Sequence, residues 1–308
     1  MQSSPINAAV LQHSVVAVPP LCRHADLTLN RAENIKLIRH IETGGVTTLL
    51  YGGNANFYNI GVSEFETLLA FLAEAAGPGT TIIPSVGPDY GKMMDQARAL
   101  RASPFATAMV LPAVFAATPT GVETGVRKFV EAAGKLAVLY IKDLNYITPE
   151  GAARLVKDKL ISVIKYAIVR PPGATADDAY LTKLVSLVDP KMIMSGIGEQ
   201  PAIVHLRDTG GFKLGGFTSG CVCVAPGLSA KMHAAIKRSD WAEAERVRAV
   251  FKPLEDLRNA HSPIRVLHEA VRLAGIADTG PMLPLLSNLD AEHHATVAAA
   301  AKALLAAK

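Results

Sequence analysis

The sequence predicts an α/β fold, a (β/α)8 TIM barrel with a C-terminal helical appendage. Short apolar runs rich in β-branched residues alternate with longer amphipathic segments over about 238 residues. Each run is apolar on both faces, as parallel strands covered on two sides must be. The pairing of run and segment recurs eight times, the number at which a parallel sheet closes into a barrel and which an open sheet seldom reaches. The last 70 or so residues hold no further strand-like run. The expected organisation is residues 1–238 as the barrel carrying the active site and residues 239–308 as the helical region.

Taken in order, strands are expected at 14–19 (SVVAVP), 47–51 (TTLLY), 80–86 (TTIIPSV) and 106–112 (ATAMVLP). Four more are expected at 136–141 (LAVLYI), 161–168 (ISVIKYAI), 191–196 (KMIMSG) and 211–218 (GFKLGGFT). Helices fall between them at 30–43, 63–76, 89–102, 121–133, 149–158, 177–188, 200–208 and 227–238. Ser63 before Glu64 and Glu66 reads as an N-cap with an acidic first turn. Thr148 followed by Pro149 and Glu150 reads as a cap with proline in the first helical position. The tail reads as helices at 241–258, 263–274 and 291–307, with turn residues in the connector ADTGPMLPLL. It is expected to be an oligomer or packing element rather than an independent domain.

Half of the 308 residues are hydrophobic and only 19% are charged, which excludes disorder and demands a large core. The 31 basic and 27 acidic residues leave a net charge of +4, too little for a dedicated nucleic-acid binder. The long uncharged stretch 102–122 contains Pro104, Pro112 and Pro119, so no membrane partner is expected. The first residues, MQSSPINAAVLQHS, lack the charged start and apolar run of a signal peptide. Cys22, Cys221 and Cys223 are odd in number and imply no disulfide framework. Together these predict a cytoplasmic protein.

One charge is out of place. In ISVIKYAIV, Lys165 is the only ionisable cation among apolar neighbours. Strand alternation puts Ile161, Val163, Lys165 and Ala167 on one face and Ser162, Ile164, Tyr166 and Ile168 on the other. A lysine facing the helices is costly, so the first set is expected to point into the barrel. Burial depresses a lysine's pKa, and the neutral amine is the form that attacks a carbonyl to make a Schiff base. The bland alternative is a lysine paired with a carboxylate, but no acidic residue lies within the fifth to seventh strands, and Asp143 stands only at the very end of the fifth. Lys142 beside it is expected to be solvated, while Lys191 and Lys213 lie near strand starts, away from the face where barrel chemistry occurs. Tyr140 shares a face with Leu136 and Val138 on the adjacent strand. Next to an inward lysine, its phenol is expected to shuttle protons during carbinolamine formation and dehydration.

The loop YGGNANFYN after the second strand is uncharged and rich in glycine and amides. The Gly53 backbone and the Asn54 and Asn56 side chains are candidates to grip a carboxylate or a substrate hydroxyl. Ser195 and Gly196 after the seventh strand and Thr218 in the eighth are further candidate binding residues. The nine histidines form no metal-ligand spacing, and no Walker loop, GxGxxG or CxxC occurs, so neither a metal nor a nucleotide cofactor is expected.

The succession LYIKD, ISVIKYAI, IMSGIGE and GGFTSGCVCVAP, with the tail SPIRVLHEAVRLAGIADTGPMLPLLSNL, resembles the dihydrodipicolinate synthase/N-acetylneuraminate lyase family over essentially the whole chain. The resemblance implies a class I aldolase-type barrel, commonly tetrameric, in which Lys165 forms an imine with pyruvate or another 2-keto acid and Tyr140 relays protons. The covalent imine would then take the place of a cofactor. The chain departs from the family where its GTTGE loop reads Gly52-Gly53-Asn54-Ala55-Asn56, losing both hydroxyls. It departs again where the synthase's tyrosine after the fourth strand gives way to Ala113 and Val114, followed by Phe115, and where Asn145 and Tyr146 replace its arginine. Tyr166 stands where an acidic residue commonly follows the lysine. The resemblance therefore implies a Schiff-base-forming lyase, an aldolase or dehydratase, acting on a small-molecule 2-keto acid as a homotetramer or dimer. The uncharged exit at Ala113, Val114 and Phe115 leans towards an apolar substrate partner. The alternatives are a non-catalytic keto-acid-binding barrel and a true 4-hydroxy-tetrahydrodipicolinate synthase.

Overall fold

The computed structural model describes residues 1–113, 115–169 and 178–307. Its strands are β1 (Val16–Ala17), β2 (Thr48–Leu50), β3 (Thr81–Ile83), β4 (Ser85–Val86), β5 (Thr107–Val110), β6 (Leu136–Ile141), β7 (Ile161–Tyr166), β8 (Ile193–Ser195) and β9 (Gly216–Ser219). The helices are α1 (Ala8–His13), α2 (Arg31–Thr43), α3 (Val62–Ala75), α4 (Tyr90–Ala102), α5 (Pro119–Ala133) and α6 (Pro149–Lys157). They continue with α7 (Ala179–Leu187), α8 (Glu199–Leu206), α9 (Pro226–Lys237), α10 (Trp241–Ala260), α11 (Pro263–Leu273) and α12 (His294–Ala306).

Every strand pairs in parallel, in the order β3-β2-β1-β9-β8-β7-β6-β5-β4. The two edge strands of that order, β3 and β4, are halves of the single expected strand 80–86, parted at Pro84. Proline has no N–H to give the ladder, so pairing breaks there while the chain itself joins the two edges. The result is a TIM barrel with its helices outside. Strands β2, β5, β7 and β9 are buried along their whole length, which is why their sequences show no polar face.

Side-chain caps start most of the barrel helices. Thr148 accepts from the Gly151 N–H at 3.0 Å to begin α6, and Asn30, Asp89, Thr118 and Asp178 do the same for α2, α4, α5 and α7. The cap expected at Ser63 is corrected: α3 begins a residue earlier, after Gly61, which offers no side-chain cap. Its first turn is tied instead by Glu64 to the buried Arg23, 3.0 Å away, so a tertiary ion pair sets the start where local preference pointed elsewhere. The short α1 was not among the expected helices; Asn7 caps it, and it packs on β9 and the 190–192 turn through the buried Leu11. Beyond the barrel, α10 lies against α8 and α9 and carries α11 and α12. No helix among the described residues is long and apolar enough to cross a membrane.

Candidate active site

The site lies where the strands' C-terminal ends open towards α10 and α11. Alternation in β7 works as expected for its central residues. Lys165 and Ala167 line a cavity of about 110 Å³. Tyr166 turns outward, donating its hydroxyl to Asp178 at 2.5 Å and stacking on Tyr180. Lys165 is 4% exposed and makes no ion pair with a carboxylate among the described residues. Burial, aided by the charges of Lys142 and Arg258, takes its pKa from 10.5 down to about 7. At neutral pH a large share of the amine is therefore unprotonated and nucleophilic.

Tyr140 pairs with Lys165 across β6 and β7, and the Lys165 Nζ sits 4.5 Å from the centre of the Tyr140 ring. This pairing depends on an irregularity lower in the ladder. Ala137 pairs with Ile161 but Val138 pairs with Val163, so Ser162 is an extra residue. The Ser162 hydroxyl donates to the Ala137 carbonyl at 3.2 Å. Without the extra residue, Tyr140 would face Ile164 and the two groups would not meet. Burial pushes the Tyr140 phenol up to about 12, with Arg258 pulling the other way, so it remains a proton donor at neutral pH.

Of the other expected binding residues, Gly53, Asn54, Gly196 and Thr218 line the same cavity. Gly196 is needed there sterically: a Cβ would meet the Tyr166 carbonyl at 2.8 Å and the Lys165 Cε at 3.1 Å. The Asn54 amide nitrogen is already tied to the Val18 carbonyl at 2.9 Å. Two expectations are corrected. Ser195 pairs with Tyr166 across β7 and β8 and shares its outward direction; its hydroxyl lies 2.7 Å from His205 Nδ1, buried on the helix side. Asn56, at φ 55°, turns its amide away and donates to the Leu283 carbonyl at 3.2 Å. Ala113 and Phe115 line a separate cavity of about 770 Å³ between α4 and α5, along with Tyr146. Val114 falls outside the described residues.

Three features escaped the sequence. Lys142, expected to be solvated, has an exposed side chain, but it lines the cavity mouth, and partial burial lowers its pKa. Arg258 and Asn259, from the end of α10, form part of the cavity wall. Behind them lies a buried carboxyl pair. Glu199 accepts from Ser219 at 2.7 Å and Ser229 at 2.8 Å, while Glu255 accepts the Glu199 and Gln200 N–H groups at 2.9 Å each, capping α8 from α10. Burial raises both carboxyls, Glu255 to about 8. Gly198, at φ 105°, allows this contact, since a Cβ there would overlap the Glu255 carboxyl. Among the arginines of an amphipathic helix, nothing in the sequence singles out Arg258.

A buried lysine without an ion pair among the described residues, with a phenol beside it at the C-terminal mouth of a parallel barrel, is an arrangement that suits attack on a carbonyl. Solved structures share the whole architecture. A dihydrodipicolinate synthase from Agrobacterium tumefaciens aligns with a TM-score of 0.83 at 17% identity, covering 96% of this chain and 99% of that one. A dihydrodipicolinate synthase from Bacillus clausii gives 0.80 at 20% identity, covering 96% and 98%. The sialic acid aldolase of Ruminococcus gnavus gives 0.80 at 15%, covering 95% and 97%. The chain thus has the fold of the dihydrodipicolinate synthases and sialic acid aldolases. No family model matches the sequence, and no curated protein is significantly similar to it.

Proposed function

We propose that the protein belongs to the dihydrodipicolinate synthase/N-acetylneuraminate lyase family and is a class I lyase acting on pyruvate or another 2-keto acid. One observation carries this reading: Lys165 is buried without a carboxylate partner among the described residues, and its pKa is held down to about 7. The neutral amine attacks the keto carbon, and the carbonyl oxygen takes a proton to give the carbinolamine. Tyr140 then protonates the departing hydroxyl, which leaves as water, and the protonated imine remains on Lys165. That imine accepts the electron pair released when the neighbouring carbon loses a proton or a carbon–carbon bond breaks. The resulting enamine either adds to an aldehyde or expels a hydroxide from the next carbon, giving aldolase or dehydratase chemistry. The recurrence of this architecture in the R. gnavus aldolase, of which one structure is of a catalytic lysine mutant, supports the assignment.

Borohydride reduction in the presence of pyruvate, followed by peptide mass mapping, tests it. A reduced adduct on Lys165 is expected, and its absence overturns the Schiff-base reading. An adduct with no turnover across a panel of keto acids and aldehydes would favour the non-catalytic binder instead. Condensation of pyruvate with aspartate semialdehyde would favour the true synthase. We further propose a homo-oligomer held through the barrel and its tail, which light scattering checks.

A further inference from the structure

Among the described residues, three cationic side chains, Lys142, Lys165 and Arg258, line the catalytic cavity, and no carboxylate does. Lys165 is the nucleophile of the proposed reaction. Arg258 is 7% exposed, and its guanidinium is fastened on one side only. Its Nη2 donates to the Ile197 carbonyl at 2.5 Å and to Asn259 Oδ1 at 3.0 Å, and its Nε reaches the same Oδ1 at 3.2 Å. Nη1 makes no hydrogen bond among the described residues; Glu255 Oε1 lies 4.0 Å from it. Glu255 answers the charge poorly, because both its oxygens already accept backbone N–H groups and burial disfavours its charged form. Arg258 lines the same cavity as Lys165 and Tyr140, and its charge lowers the pKa of both.

The loop after β2 gives the opposite picture. Its two hydroxyls are absent, Asn56 is turned to Leu283, and the Asn54 amide nitrogen is engaged by Val18. The side-chain donors this loop could offer a keto acid's carboxylate are therefore missing or occupied, which leaves it only backbone N–H groups such as that of Gly53. Across the same small cavity stands a buried cation with a free N–H edge. A buried charge answered only weakly is costly, and a carboxylate meeting it gains charge-assisted hydrogen bonds.

We propose that Arg258 is the carboxylate anchor of this site, holding the keto acid from α10 in place of the loop after β2. The assignment rests on the Lys165 reading, and it makes the helical tail part of the active site. A keto acid docked this way presents its carboxylate to Nη1 and its keto carbon to Lys165. Selection for the acid over neutral carbonyl compounds then belongs to residue 258.

The test compares pyruvate with its neutral amide, pyruvamide, as borohydride-trapped ligands of Lys165 in the full-length protein. The wild type is expected to trap pyruvate at concentrations roughly ten- to a hundredfold lower, the range of a hydrogen bond to a charged group. R258Q is expected to bring that ratio close to one, and R258K, which keeps the charge but not the fork, to restore part of it. Denaturation midpoints check that each variant folds; if R258Q does not, R258K against wild type carries the comparison. A preference for pyruvate that survives in R258Q, or one lost in N54A or K142M instead, overturns the proposal. If wild type traps neither compound, the Schiff-base reading fails. Calorimetric binding of pyruvate and pyruvamide to wild type and R258Q then decides the Arg258 assignment, which falls if pyruvate binds no better than its amide.

Discussion

Replacing Lys165 by methionine removes the proposed nucleophile and, with it, a cost in stability. A lysine with a pKa of 10.5 in the unfolded chain and about 7 in the fold is bound by a proton more readily when unfolded. The unfolded state therefore carries the extra proton between those values, and stability rises with pH across the window. Above pH 10.5 the lysine is neutral in both states and costs nothing through this linkage. As pH falls towards 7 the cost grows, and below 7 it levels off, because both states are protonated. At about 1.36 kcal/mol for each pH unit of difference, the full cost approaches about 5 kcal/mol; it is about 4 kcal/mol at pH 7 and about 1 kcal/mol at pH 10. Methionine fills a similar volume without the charge, and any packing difference it brings does not vary with pH. Denaturant unfolding of wild type and K165M at pH 6, 7 and 10 should show the variant gaining most at pH 6 and losing most of that gain by pH 10. The same variant should form no borohydride adduct. A difference that stays constant with pH refutes the buried, neutral lysine and the chemistry built on it.

Y140F should slow adduct formation by roughly a hundredfold or more while leaving pyruvate affinity near wild type, as rapid-quench trapping against a binding titration would show. K142M removes a charge that lowers the Lys165 pKa, so the pH midpoint of trapping should move to more alkaline values; a profile that stays in place or moves to acid contradicts the electrostatic account. S195A strips a buried partner from His205, so it should cost about 1 kcal/mol in denaturant unfolding and leave trapping by pyruvate unchanged. A large loss of trapping in S195A would return Ser195 to the site.

Much of the barrel can be read locally because strand and helix patterns obey short periods. The 136–141 strand and the Thr148-Pro149 helix start were legible in the sequence because alternation, caps and proline act within a few residues. The α3 start and α1 were not, since an ion pair to Arg23 and packing under β9 lie far away in sequence. The inward position of Lys165 was legible for the same reason as the fold: one cation in an apolar strand has only the barrel interior to face.

What the sequence by itself determined is the eight-unit alternation, the inward lysine and its tyrosine neighbour on the next strand. Only the tertiary structure decided how those parts meet. Tyr140 stands level with Lys165 because Ser162 is squeezed out of the ladder, and the alternation within each strand does not say which of its inward residues stands opposite which on the neighbour. Ser195 left the site because pairing with Tyr166 fixed its direction, although its glycine-rich surroundings looked like a binding loop. Arg258 entered it because α10 folds back over the β8 exit, bringing a residue 93 positions after Lys165 to the same cavity wall. Local periodicity records which way a side chain points within its own element. Which elements share a wall is settled by packing across the barrel, where burial, strand register and the return of a distant helix act together.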